Sequence, residues 1–105
     1  MPVITETAPA VRSEAVLAPR WHVILLNDEE HTFTYVVEML GAVFGHSAAA
    51  AWEMALAAHS CGRAVVYTGP RETAEFKQQR VHAYGPDWRM RRSAGSCTAL
   101  LRPAD

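Results

Sequence analysis

No stretch of this 105-residue sequence is apolar for the roughly 20 residues needed to cross a bilayer, so no membrane partner is expected. The opening residues, Met1 to Arg20, lack both a basic leader and a continuous apolar segment, and no secretory signal is read there. Cysteine is scarce. Cys61 and Cys97 are the only two and show no CxxC spacing, which removes zinc knuckles and disulfide scaffolds from consideration. They read as free thiols in a reducing compartment, and the expected location is cytoplasmic. A dominant charge is missing too: the formal net charge is −1, so no overall field draws the chain to nucleic acid. Catalytic patterns are equally thin. The five histidines form no HxxxH or HExxH pair, there is no glycine-rich phosphate loop, and "GHSAA" lacks the flanking glycines of a nucleophile elbow. His59 and Cys61 stand two apart, a spacing that does not bring side chains together on a helix. No catalytic residue, metal or cofactor is therefore expected, and the chain does not read as an enzyme.

What is present is half hydrophobic and one-fifth charged, enough for one globular domain with its own core. Met1 to Arg20 holds three prolines and no sustained periodicity and reads as a flexible arm; the domain proper is expected over residues 21–105. "WHVILL", Trp21 to Leu26, is β-branched and apolar, a buried strand. His31 or Thr32 can cap a helix running to about Phe44, with Val36, Val37, Leu40, Val43 and Phe44 on its apolar face and Gly45 ending it. Ser47 caps an alanine-rich second helix that Gly62 stops. "RAVVYT", Arg63 to Thr68, is a second strand, and a third helix follows from Arg71 to about Tyr84, with Pro70 in its first turn. After the loop "GPDWRMRRSAGS", the segment "CTALLR" is the last strand. The order β-α-α-β-α-β specifies an α+β fold, a three-stranded antiparallel sheet with three helices packed against it.

The stretch "VILLNDEEHTF" places an amide and three carboxylates, Asn27 to Glu30, where a buried strand stops and a helix starts. Acids there suit either a solvated turn or a small site for a cation. His59, at the end of the alanine-rich helix, suits a C-terminal cap. Ala55 and Ala58 beside it are small and leave space, which is how a pocket begins, and Phe33 and Val36 can supply the opposite wall.

Taken together, "VILLNDEEHTFTYVVEML", "LAAHSCGRAVV" and "RETAEFK" resemble the ClpS family of N-degron adaptors from about Trp21 to Lys77. The resemblance implies a protein that binds the first residue of a polypeptide and hands it to the N-terminal domain of a ClpA- or ClpC-type AAA+ unfoldase, with the flexible arm helping in delivery. It implies that Asn27, Asp28, Glu29 and His59 hold the α-amino group and first peptide bond. Phe33, Val36, Ala55 and Ala58 would line the side-chain cavity, and Glu72 and Lys77 would dock the unfoldase. The family's Thr-Pro-Met is His31-Thr32-Phe33 here, its flexible gate methionine being replaced by Phe33. Larger residues are usual where Ala55 and Ala58 stand, and the match fades after Lys77, where the loop is longer and more basic. Cys97 is an approximate match to the floor. Substrates beginning with Phe, Tyr, Trp or Leu are expected, the flat aromatics above Leu. The competing expectation is a module like the C-terminal domain of the ribosomal stalk protein, which shares the element order and has no amino-terminus pocket; a metal-dependent hydrolase stands third.

Overall fold

Strand β1, Arg20–Leu26, is the centre of the sheet, and its buried run Val23 to Leu25 is what a strand covered by neighbours on both edges requires. In the computed structural model, which describes residues 19–90 and 95–104, the remaining elements are α1 (Phe33–Phe44), α2 (Ala48–Cys61), β2 (Arg63–Pro70), α3 (Arg71–His82) and β3 (Ala99–Pro103). The three strands lie in the order β2-β1-β3, antiparallel throughout. This is the expected α+β architecture. The arm expected over Met1 to Arg20 lies outside the described residues apart from Pro19 and Arg20, and Arg20 opens β1.

One face of the sheet carries the core. Val23 and Leu25 of β1, Val66 of β2 and Ala99 of β3 pack with Tyr35, Met39, Leu40 and Val43 of α1, Ala51 and Ala58 of α2, and Ala74 and Val81 of α3. The β1–β2 register slips between Val23 and Ile24, where Val66 is the extra residue. That bulge turns both Val66 and Tyr67 toward the helices, two neighbours on one side where a regular strand would alternate. Periodicity assigns Val36, Val37 and Phe44 to the core of α1; they are only partly buried, and Tyr35 and Met39 lie deeper.

The helix ends follow local chemistry. Thr32 Oγ1 accepts from Tyr35 N–H and Ser47 Oγ from Ala50 N–H, each satisfying an orphan donor of the first turn. Gly45 and Gly62 close α1 and α2 at φ of 77° and 89°, backbone that side chains rarely tolerate. α3 stops at His82, two residues short of the expected Tyr84, and β3 is shorter than the expected "CTALLR". Pro70 is both the last residue of β2 and the N-cap of α3, one position before the first turn.

Asp87 ties the C-terminal loop to the start of α1. It is 1% exposed, and its carboxylate accepts from Thr32 N–H (2.7 Å), Thr32 Oγ1–H (2.8 Å) and Arg89 N–H (3.0 Å). Arg89 also reaches it through the guanidinium at 3.3 Å and pairs with Glu38 of α1. Burial by itself would raise the carboxyl pKa; the donors from Thr32 and Arg89 outweigh it and bring it down to about 2. A depressed folded-state pKa stabilises the native state above the unfolded value near 4, and that stability is lost as pH falls through about 2. Asp87→Ala is expected to lower the unfolding free energy by about 2 kcal/mol in urea titrations at pH 7. It should also flatten the decline in stability between pH 4 and 2, so a variant as stable as the parent, or with the parent's acid profile, would contradict this account.

Candidate functional site

The acidic turn between β1 and α1 is fastened on two sides. Leu26 N–H donates to Thr98 O and Asn27 N–H to Gly62 O, each at 3.0 Å, so the turn is stretched between the approach to β3 and the end of α2. A cavity of about 380 Å³ opens beside it. All eight residues expected to bind substrate line it: Asn27, Asp28 and Glu29 from the turn, Phe33 and Val36 from α1, and Ala55, Ala58 and His59 from α2. Leu25, Leu26 and Cys97 lie among its walls. Its volume falls in the range of small-ligand sites.

Phe33 is held as a fixed wall. Its ring meets Trp52 edge-on at 5.2 Å and His59 edge-on at 5.4 Å, geometries in which the positive rim of one ring faces the negative face of another. Ala55 and Ala58 are buried and contribute depth because their side chains stop at one carbon. His59 is exposed at the mouth, in the last turn of α2.

Asp28 differs from the expectation in its orientation. Its Oδ1 accepts from Glu30 N–H at 2.9 Å, and both carboxylate oxygens lie within 2.9 Å of His31 Nδ1. The other ring nitrogen of His31 meets Gly95 O at 2.7 Å. The ring is thus held between the turn and the backbone at Gly95, with a partner at each nitrogen. The Cys97 thiol also bonds to Asp28; burial first, and then the Asp28 charge and this bond, push its pKa up to about 12. Asp28 therefore organises the turn from within, and its neighbour Glu29 is the exposed acid at the mouth. Among the described residues Asp28, His31 and Cys97 form a group that could offer three metal-ligand atoms, but the groups are joined to one another, and the His31 ring to Gly95, by hydrogen bonds, and the thiol holds its proton firmly.

His22, His46 and His82 serve the framework instead, on Thr68 Oγ1, Val66 O and Ala99 N–H respectively. Glu72 and Lys77 stand apart from the cavity on α3. Glu72 is exposed, whereas the Lys77 ammonium donates to Val43 O at 3.0 Å and so caps α1. Two contributions escape the sequence. His31 reads there only as a cap, although its place three residues after Asp28 allows their pairing. Met90 reaches the cavity from the loop that Asp87 anchors, and nothing in its neighbourhood announces this.

An open, walled recess with an amide and an acid at its rim and apolar side chains within has the form of a recognition site. Residues 17–87 match the family model of the ATP-dependent Clp protease adaptor protein ClpS, and the chain belongs to that family. The ClpS adapter of Mycolicibacterium paratuberculosis is 36% identical over 80 residues, 76% of this chain and 72% of that one. That of Streptomyces avermitilis is 36% identical over 81 residues, 77% of each. The structure of Agrobacterium tumefaciens ClpS2 bound to L-phenylalaninamide matches with a TM-score of 0.70 and 27% identity, covering 81% of this chain and 96% of that one. The protein is an adaptor of the Clp protease, and the stalk-like alternative is set aside.

The two thiols should respond in opposite ways to an alkylating reagent. Cys61 is exposed, while Cys97 is buried with its pKa near 12. Iodoacetamide at pH 8 is expected to modify Cys61 alone in the native protein and both in urea, as read by intact mass. Rapid native labelling of Cys97 would contradict the closed network around Asp28.

Proposed function

We propose that the cavity is the site where this adaptor reads the first residue of an N-degron polypeptide. The observation that carries the reading is the convergence of all eight candidate residues on one cavity with polar groups at its mouth and apolar walls within. L-phenylalaninamide, the ligand of the related ClpS2, has the matching parts: a free ammonium, a planar apolar side chain and an amide standing for the first peptide bond. An α-amino group has a pKa of about 7.7 to 8.0 and is mostly cationic at pH 7. Removing it from water is costly unless acceptors replace the lost hydration. The Asn27 carbonyl, the Glu29 carboxylate and a ring nitrogen of His59 are such acceptors, with Asp28 and His31 holding the turn in shape. An internal peptide segment has no ammonium to offer, so the site selects chain ends. The side chain then enters between Phe33, Val36, Ala55 and Ala58, where burial of an aromatic or leucine contributes on the order of 1.5 to 3 kcal/mol. The protein itself makes and breaks no bond. Delivery is to the N-terminal domain of a ClpA- or ClpC-type unfoldase in the cytoplasm, with Glu72 on the exposed side of α3 as a docking contact and Lys77 acting there through its stem.

Fluorescence anisotropy with peptides differing only at the first residue tests this. N-acetylation is expected to cost at least ~2 kcal/mol, the range for leaving buried polar groups unpaired. Affinity should also decline as pH rises above about 8 and the ammonium is lost. His59→Ala and Asn27→Ala should each weaken binding by about 1 to 2 kcal/mol with cooperative unfolding retained. Equal affinity for acetylated and free peptides would reject the mechanism.

Wild-type protein should bind Phe, Tyr and Trp termini more tightly than Leu, and Ile or Val poorly, because the wall at Phe33 is held between Trp52 and His59. Phe33→Met substitutes an adaptable thioether and should narrow the gap between Phe and Leu by about 1 kcal/mol. A wild-type panel in which Leu equals Phe would overturn this account of the wall while leaving the amino-group reading in place.

A further inference from the structure

α2 carries apolar side chains on two sides. Ala51, Ala55 and Ala58 face the core, but Trp52 and Leu56 are 45% and 40% exposed. Trp52, Leu56 and His59 follow one another at i, i+4 and i+7, which places them in a single row along the helix. The row is continuous with the cavity. Phe33, which lines the cavity, meets both Trp52 and His59 in T-shaped contacts, so the mouth and the exposed ridge share a ring.

An extended polypeptide rises about 3.3 Å per residue and turns alternate side chains to the same side. With the first side chain in the cavity, the second points away and the third returns about 7 Å further on. Along α2, His59 and Trp52 are separated by about 10 Å, at 1.5 Å per residue, with Leu56 between them. The spacing fits a third residue lying over the ridge. The charges nearby set its chemistry, since Glu53 on α2 and Glu29 and Glu30 on the turn are all exposed. An acidic side chain there would meet like charge, and an apolar one would cover the Trp52 and Leu56 surfaces.

We propose that the Trp52–Leu56 ridge is a second subsite that receives the third residue of the bound polypeptide, favouring apolar side chains and disfavouring acidic ones. The subsite rests on the first-residue reading of the cavity and extends it from one residue to a short sequence. Affinity would then depend on residues beyond the terminal one, and two proteins with the same first residue would be recruited unequally.

The test is anisotropy with labelled peptides beginning Phe-Ser-Leu, Phe-Ser-Ser and Phe-Ser-Asp, beside Ser-Ser-Leu and Phe-Leu-Ser, on wild type, Trp52→Ala and Leu56→Ser. Leu at the third position is expected to bind about fivefold more tightly than Ser, the effect of burying part of a leucine, with Asp weakest. Leu56→Ser, which does not line the cavity, should reduce the Leu-to-Ser ratio to below about twofold while Phe is still preferred over Ser at the first position. Trp52→Ala should reduce the same ratio. Retained first-residue discrimination with no third-position dependence in wild type would overturn the ridge alone. So would a dependence that survives both substitutions, or one that appears at the second position instead. Loss of first-residue discrimination in wild type would overturn the ridge together with the reading beneath it.

Discussion

A buried carboxylate that faces donors from two separate segments fixes both of them. Asp87 does this for the start of α1 and the loop after α3, and the recognition site depends on the result. With Thr32 clamped, the first turn of α1 begins at a defined place, and Phe33 and Val36 are set against the cavity. The same clamp brings Met90 to that cavity from the far side. Asp87, which does not line the cavity, thus helps determine where the lining residues stand.

The acidic turn is also electrostatically settled. Asp28 does not wait as an unpaired charge, because His31 lies against it and Gly95 O takes the opposite ring nitrogen. A turn of three consecutive acids is thereby held in shape by its own histidine. A turn braced in this way keeps its shape without a ligand, the pre-organisation under which modest contacts give useful affinity.

Much of this was legible in the sequence because it is written in local chemistry. Ser47, Gly45 and Gly62 mark helix ends through single hydrogen bonds or a single dihedral, and both the caps and the αL stops lie where spacing put them. The cavity was legible for a different reason: small alanines opposite bulky residues leave space, and "NDEEHTF" and "AAHSCG" carry the family pattern. What escaped depends on distant partners. The depth of Tyr35 and Met39 is set by where the sheet lies, not by the period of α1. The bulge at Val66 is a property of two strands in register. Lys77 looks like a free surface charge until α1 ends within its reach. Asp87 looks like a loop residue, and its partner Thr32 lies more than fifty positions away.

The strand order has a consequence for how the molecule comes into being. Among the described residues β1 is the first strand in sequence and the middle one in the sheet, and on one side it pairs with the last, His22 opposite Arg102. Its hydrogen bonds on that side join residues some eighty positions apart, and such distant pairings are slow to form because a large loop must close before any contact rewards it. Cys97, at the entry to β3, belongs to the cavity wall. As the chain emerges during synthesis, the helices and the β1–β2 pair can assemble while one edge of β1 stays bare and the recess lacks a wall. The cavity is therefore complete only once β3 has joined the sheet, so an adaptor that selects other proteins' first residues lacks a finished recess until its most sequence-distant strand pairing has formed.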